Sequence, residues 1–440
     1  MKRAGLVALA MGFAGCKLLA SAFSGAGAPR PNILIIFTDD QGYADLACFG
    51  NAKNKTPRMD QLAREGTRFT NFYAQTVCGP SRAALLSGRY PFRSLLGPKT
   101  WQMPSSEVIF AELLKSAGYQ TCCIGKWDVS GRKEIIDEMP NAQGFDYYFG
   151  ALGANDGGIL KFHENNRAAG ETRDMSSITR LYTNKAMEFL KKRDPEKPFV
   201  LYLAHTMMHM DIDASERFKG KSKGGLYGDT VEEFDYETGC LLDLVDELKL
   251  RDNTLVIYTS DNGPWKQLNY RERKIKQRQQ YKDEIFWGDS GDLRGGKGSC
   301  YEGGYRLPCI ARWPGRIPAG KMSEALFTTL DFLPTFAALA GSKVPDDRII
   351  DGVNQVDLLL GKSEKGNRNT FYYQDNGIRF GKWKYLKAKQ KVWGWARDKN
   401  RPEKEELYDL ENDIGEKNNL AVRYPEVVKK LRGMFEQFVE

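Results

Sequence analysis

At 440 residues, with 41% hydrophobic and 28% charged residues, the chain can bury a large core and is neither disordered nor fibrous in composition. A formal net charge of +8 is mild for this length, and no interleaved aromatic and basic platform accompanies it, which argues against nucleic acid as a partner. Eight cysteines without regular spacing exclude a small disulfide scaffold, and the adjacent pair Cys122 and Cys123 has the wrong spacing for two ligands of one zinc site.

Lys2 and Arg3 precede an apolar run from Gly5 to Ala14, and small residues continue to Ala28. This pattern predicts a secretory signal peptide over residues 1–28 and a secreted or periplasmic protein. A loose lipoprotein site, Phe13-Ala14-Gly15-Cys16, is the alternative. Lipidation of Cys16 would be the one route to a membrane. Removing residues 1–28 takes away three basic residues and leaves a net charge of +5, compatible with anionic substrates.

Asn32 to Phe37 is a short apolar run rich in branched residues, predicting a buried parallel strand that ends at Thr38-Asp39-Asp40. Cys78 to Arg89 follows, reading Cys-Gly-Pro-Ser-Arg-Ala-Ala-Leu-Leu-Ser-Gly-Arg. Pro80 suits the first helical position and Gly88 the residue past the end, which puts Cys78 at or near a helix N-terminus. Free N–H groups and the helix dipole favour negative charge there, so Cys78 is a candidate nucleophile for an anionic substrate. A small buried cysteine beside a capped helix is the structural alternative.

Three later runs repeat the strand design. Tyr119 to Ile124 ends at Gly125-Lys126-Trp127-Asp128, Phe199 to Ala204 at His205 with His209 beyond, and Thr254 to Tyr258 at Ser260-Asp261-Asn262-Gly263. Helical spacing over Ser106 to Ala117 and Ser177 to Lys192 separates them. The alternation predicts an α/β fold with a parallel sheet covered on both faces. In such sheets ligands bind beyond the carboxyl ends of the strands. Here those ends carry aspartates, a lysine, histidines and an Asp-Asn pair. Asp39, Asp40, Asp261 and Asn262 offer only oxygen ligands, which suit calcium or magnesium rather than zinc. His209 follows a buried strand closely enough to join them; His163 and His205 read as structural.

Lys266 to Lys282 holds seven basic residues, including Arg271, Arg273, Lys274, Lys276 and Arg278. It is either a solvated face or a flank that attracts an anionic chain. A glycine-rich stretch over residues 295–304 can bring Lys297 and the backbone close to an anion. After Gly341 the texture changes, predicting a catalytic unit over 29–345 and a smaller unit over 346–440. The smaller unit would hold a few antiparallel strands and a helix from about Tyr424 to Val439, with Trp393 and Trp395 as core or sugar-stacking residues.

With these residues assembled, the sequence resembles the formylglycine-dependent sulfatases of the alkaline-phosphatase-like superfamily. Cys78-Gly-Pro-Ser-Arg82 through Leu86-Ser-Gly-Arg89 fits the family motif that directs oxidation of the cysteine to formylglycine. Gly118-Tyr119 through Gly125-Lys126-Trp127 resembles its second motif, and Glu406-Leu-Tyr-Asp-Leu410 with Asn419-Leu420-Ala421 its C-terminal one. The resemblance implies an alkaline-phosphatase-like α/β fold: a large, mostly parallel sheet between helices, plus a small C-terminal antiparallel sheet with a terminal helix. It implies a sulfuric ester hydrolase acting on a sulfated carbohydrate, with a maturation enzyme that generates the formylglycine.

By position, Asp39, Asp40, Asp261 and Asn262 match the residues that hold calcium together with the formylglycine made from Cys78. Arg82 matches the arginine that steadies that residue, Lys126 and Lys297 the lysines that grip sulfate, and His209 the histidine beside the leaving oxygen. One position departs: Asp128 stands where the family usually has histidine. The resemblance implies attack on sulfur by a formylglycine hydrate hydroxyl, a proton from cationic His209 to the leaving oxygen, and sulfate release by C–O cleavage. Asp128, held ionised by nearby cations, is expected to act as a base for that last collapse or to pair with Lys126. Two alternatives remain at this stage: a phosphodiesterase or phosphonate hydrolase on the same fold, and a metal-stabilised glycan-binding protein that keeps Cys78 as a thiol.

Overall fold

A computed structural model describes residues 30–97, 100–266, 287–390 and 403–439. The segment 1–28 with Cys16, most of the basic run after Lys266, and Trp393 and Trp395 lie outside them.

The main sheet is formed by β1 (Asn32–Thr38), β2 (Thr67–Tyr73), β3 (Gln120–Lys126), β4 (Tyr147–Ala151), β5 (Leu160–Glu164), β6 (Arg167–Thr172), β7 (Phe199–Ala204), β8 (Thr254–Ser260), β9 (Arg306–Arg312), β10 (Lys321–Ser323) and β11 (Phe327–Thr328). The strand order is β10-β2-β9-β8-β1-β7-β3-β4-β5-β6, with β11 beside β2. Its centre, β8-β1-β7-β3-β4, is wholly parallel; β9 runs antiparallel to β2 and β8, and β4-β5-β6 is antiparallel at the other edge.

The unbroken apolar texture of β1 reflects burial on both faces. Ile33, Ile35 and Phe37 join one core, while Leu34 and Ile36 join the other. Each such fully buried side chain contributes about 1.5–3 kcal/mol of transfer free energy. The first core takes in helices Cys78–Ser87, Phe110–Ser116 and Phe332–Ala340; the second takes in Pro57–Glu65, Ile178–Lys192 and Gly225–Glu247. Cys122 and Cys123 point to opposite cores from adjacent positions of β3, so they share no ligand. The Pro57–Glu65 helix lacks a side-chain cap from Thr56. Instead the Asp235 carboxylate accepts from the N–H groups of Arg58 and Met59 at 3.1 and 2.8 Å.

Two boundaries differ from the sequence reading. The Phe110–Ser116 helix is shorter than Ser106–Ala117, because the Glu112 carboxylate reaches back to accept from the N–H of Ile109 at 2.8 Å and fixes the start there. The other helix opens at Cys78 rather than Pro80. A proline is tolerated at its third position because the first N–H groups of a helix have no partner within it. Gly88, in the left-handed conformation, ends that helix as expected.

A second, antiparallel sheet comprises β12 (Thr370–Tyr372), β13 (Gly377–Phe380), β14 (Trp383–Leu386) and β15 (Glu406–Asp409). The helix Pro425–Val439 packs Val428, Leu431 and Phe435 on Ile378, Tyr385 and Leu407. Asn419 ties the approach to that helix: its Oδ1 accepts from the N–H groups of Leu407 and Ala421, and its Nδ2 donates to the Glu405 carbonyl.

A buried ion cluster joins the two sheets. Lys384 on β14 lies 3.1 Å from Glu302 and 2.7 Å from Glu416, and Glu416 in turn accepts from the N–H of Glu302 at 2.8 Å. Glu302 closes the glycine-rich stretch that carries Lys297. The second sheet therefore anchors a loop of the site, and breaking one partner of such a cluster costs about 3–5 kcal/mol.

Candidate active site

The strands that end in functional residues are neighbours, in the order β8-β1-β7-β3. Hydrogen bonds continue the ladder past their ends: His205 N–H donates to Phe37 O, Asp39 N–H to Met207 O, Met208 N–H to Asp39 O, and Asp261 N–H to Thr38 O. The first shell of polar groups thus sits on rigid backbone. Asp40 and Asp128 adopt left-handed φ of 59°, which aspartate tolerates better than most residues. Gly125, with φ of 109°, lies against the Ala204 carbonyl where a Cβ would come within 1.9 Å. A side chain there would push β3 and Lys126 off the site.

Asp39, Asp40 and Asp261 place carboxylate oxygens within 4.8 Å of one another, all fully buried. Asn262 Nδ2 donates to Asp40 at 2.7 Å and to the Gly263 carbonyl at 2.8 Å, which turns its own Oδ1 away from those acceptors. Asp39 Oδ1, Asp40 Oδ2 and Asn262 Oδ1 have no hydrogen-bond donor among the described residues. Burial raises the carboxyl pKa values of Asp40 and Asp261, reinforced by repulsion from Asp39 and only partly offset by Lys297 and Arg82. Asp39 goes the other way: burial opposes its charge, but Lys126, His209 and Arg82 outweigh it. Three buried carboxylates, with orphaned acceptors on Asp39, Asp40 and Asn262, fit a hard cation with oxygen ligands.

The cations interlock with this cluster. Lys126 lies 2.6 Å from Asp39 and 3.2 Å from Asp128. Lys297 lies 2.5 Å from Asp40 and 3.5 Å from the Cys78 sulfur. Arg82, wholly buried, donates to Asp261 at 2.8 Å and to the Lys126 carbonyl at 2.9 Å. The loop that delivers Lys297 is pinned by its own N–H to the Pro264 carbonyl and by Gly298 N–H to Thr76 O.

Cys78 is buried at the head of its helix, and Asp39, Cys78 and His209 also form a group within 4.8 Å. Burial pushes the Cys78 thiol up to about 12, more than Lys126 and Lys297 offset. A thiolate nucleophile is therefore disfavoured, since the thiol would stay protonated at neutral pH. Gly79 leaves room for Trp101, whose ring sits where a Cβ would come within 2.7 Å.

His209 is buried rather than on the surface. Its Nδ1 lies 2.6 Å from the Met210 carbonyl, so Nδ1 carries the proton and Nε2 faces Asp40 at 3.7 Å and Asp156 at 3.9 Å. Burial, then Lys297, pushes its pKa down to about 4. Even with Asp40 and Asp156 at that distance, the resting site therefore favours neutral imidazole over the imidazolium expected from the sequence, and an anionic ester has to bring the proton's uptake with it. His205 packs edge-on between Tyr182 and Phe234, and His163 lies 3.1 Å from Glu134. Both are structural, as read from the sequence.

Burial alone would raise the Asp128 carboxyl, but Lys126 and Arg132 hold it below the usual carboxylate range. Arg132 donates to Asp128 and to Asp156, each at 2.7 Å, and stacks over Trp101 at 4.8 Å. Trp265 stands on the other flank, 5.0 Å from the Lys297 ammonium and 6.4 Å from the His209 ring. Trp101, Arg132, Asp156 and Trp265 did not stand out in the sequence, because each comes from an irregular loop without a spacing rule.

The family profile described as Sulfatase matches residues 31–342, and one described as N-sulphoglucosamine sulphohydrolase, C-terminal, matches residues 296–440. The chain belongs to the sulfatase family and is a sulfuric ester hydrolase.

Human N-acetylgalactosamine-6-sulfatase is 35% identical over 406 residues, covering 84% of this chain and 73% of that protein. Bacteroides thetaiotaomicron N-acetylgalactosamine-6-O-sulfatase is 31% identical, covering 96% of each chain. Among solved structures, a Bacteroides thetaiotaomicron 6S-sulfatase described with the metabolism of multiple glycosaminoglycans superimposes with a TM-score of 0.80 at 30% identity, over 93% of this chain and 99% of that one. Ps i-CgsB in complex with k-i-k-neocarrahexaose gives 0.76 at 28% identity, over 93% of each.

Proposed function

We propose that the protein is a secreted or periplasmic carbohydrate sulfatase in which residue 78 is matured to formylglycine and a calcium ion, with magnesium as the alternative, is held by Asp39, Asp40, Asp261 and Asn262. The observation that carries this reading is the meeting of Cys78, three buried carboxylates and two lysines at one end of the sheet. The leader-like composition of residues 1–28 supports export. The 6-sulfatase names of its relatives support a 6-sulfated amino sugar within a glycan as the substrate.

The cation would offset the carboxylate charge and acidify a coordinated hydroxyl, and formylglycine would supply a hydrated aldehyde with two hydroxyls at one carbon. The chain's own residues do the rest. Lys126 and Lys297, both fixed by aspartates, present preorganised positive charge to the sulfuryl oxygens. Arg82 holds Asp39 and Asp261 in place from behind. His209 Nε2 faces the leaving oxygen, and an anionic ester arriving beside it favours uptake of the proton that it donates on cleavage.

Asp128, ionised and 3.2 Å from Lys126, would take the proton given up by the second hydroxyl at residue 78 as sulfate leaves. Asp128→Asn is therefore expected to slow regeneration of the resting enzyme by about 10²-fold while sulfur attack changes little. Pre-steady-state kinetics would show this as a burst followed by slowed turnover; unchanged turnover would sink the assignment. The function itself is tested by supplying a sulfated glycan, an aryl sulfate and an aryl phosphodiester. Sulfate release from the first two is expected, and preferential cleavage of the phosphodiester would overturn the reading.

A further inference from the structure

The ladder from Asp128 through Arg132 to Asp156 runs from the buried centre to the mouth of the site, and the sulfatase chemistry above does not use its outer end. Arg132 is saturated on two sides by carboxylates at 2.7 Å and is clamped over Trp101, so it is fixed in place. Asp156 uses Oδ2 for that bond. Its Oδ1 has no hydrogen-bond donor among the described residues, and His209 Nε2 lies 3.9 Å from it. The side chain is 47% exposed, enough to meet a ligand entering the mouth.

The backbone beside it is held firmly. Asn155 Nδ2 donates to the carbonyls of His209 and Asp211 at 2.8 and 2.6 Å, which locks the Asp156 segment to the segment that carries His209. Burial would raise the Asp156 carboxyl, but His209 and Arg132 hold it below the usual range, so it is ionised. A group bound at Oδ1 must therefore be a hydrogen-bond donor, and it must lie next to whatever oxygen His209 faces.

Resting on the sulfatase reading, we infer that Asp156, held by Arg132 beside His209, is a specificity-determining residue that accepts a hydroxyl of the sugar ring bearing the scissile sulfate. The same ladder, with two carboxylates to one guanidinium, selects a unit carrying one sulfate and otherwise uncharged groups over a unit with a second anion nearby. The attraction for a hydroxyl is directional, and the repulsion of a second sulfate acts in a partly desolvated mouth where charges are poorly screened.

The test compares matured full-length wild type, Asp156→Ala and Asp156→Asn on three substrates: 4-nitrophenyl sulfate, a neutral monosaccharide monosulfate and its disulfated counterpart. Asp156→Ala is expected to lower the ratio of kcat/KM for the monosulfated sugar over the aryl sulfate by about tenfold, mainly through KM. Asp156→Asn keeps an acceptor oxygen but loses the charge. It should hold that ratio within about threefold of wild type and raise use of the disulfated sugar, relative to the monosulfated one, by about fivefold. An unchanged sugar-to-aryl ratio in Asp156→Ala, or an unchanged mono-to-disulfated ratio in Asp156→Asn, overturns the inference. A wild type inactive on all three overturns the sulfatase reading instead, which separates the two failures.

Discussion

Cys78→Ser is expected to turn an enzyme with many turnovers into one that reacts once. Serine at the head of the same helix would keep the position beside Lys297 and the carboxylate cluster, so a hydroxyl could still attack sulfur and expel the sugar oxygen. The product would be a serine sulfate ester, with no second hydroxyl on that carbon to expel sulfate. Steady-state turnover should fall by about 10⁴-fold or more, and the intact protein should gain about 80 Da after exposure to substrate. Multiple turnovers by a variant whose residue 78 is verified as serine would remove the need for an aldehyde and contradict the mechanism. Burial of the Cys78 thiol already weighs against the simplest rival, a thiolate nucleophile.

The second large effect concerns the cation. Chelation by EDTA is expected to abolish sulfatase activity, with recovery on adding calcium, and to lower the thermal midpoint by on the order of 5 °C at neutral pH. The pH dependence follows from the carboxylates. Burial, with repulsion from Asp39, sets the Asp40 and Asp261 pKa values above those of the unfolded chain. Without a cation, the folded state then binds protons more tightly than the unfolded state, and the associated stability is lost as pH rises through the raised values.

Asp39, depressed by Lys126 and its other cationic neighbours despite burial, contributes in the opposite sense only as pH falls below the ordinary aspartate value of about 4. Between about pH 5 and 8 the chelated protein should therefore lose stability as pH rises, while the calcium-loaded protein changes little. Melting curves at both ends of that window measure it. A midpoint unmoved by EDTA at either pH would contradict the metal assignment.

The central sheet was legible because its strands are buried on both faces, so β1, β3, β7 and β8 appear as short apolar runs without alternation. The polar residues at their ends were legible for the same reason: an aspartate, lysine or histidine directly after such a run has little choice of location. Parallel strands in adjacent order then bring Asp39, Asp261, His209 and Lys126 together. Helix limits were less readable, since the start at Ile109 and Phe110 is set by the Glu112 carboxylate accepting from the Ile109 N–H rather than by apolar spacing.

The charge state of His209 was not legible at all. It depends first on burial and then on Lys297, which approaches from a loop 88 residues away and is positioned by Lys384, Glu302 and Glu416 of the second sheet and its junction. The mouth residues Trp101, Arg132 and Asp156 escaped for a related reason. Their contacts run between loops, where no period constrains the side chain, although the departure at Asp128 marked the place where they meet.

On the proposed mechanism, Cys78 is the precursor of the nucleophile and not the nucleophile itself. Mass spectrometry of the peptide spanning Cys78, from protein made in a host able to mature sulfatases and shown to release sulfate, tests it most directly. The expected result is an aldehyde at position 78, with the peptide about 18 Da lighter than its cysteine form and reactive toward carbonyl reagents. An unmodified thiol at position 78 in protein with full sulfatase activity would contradict it.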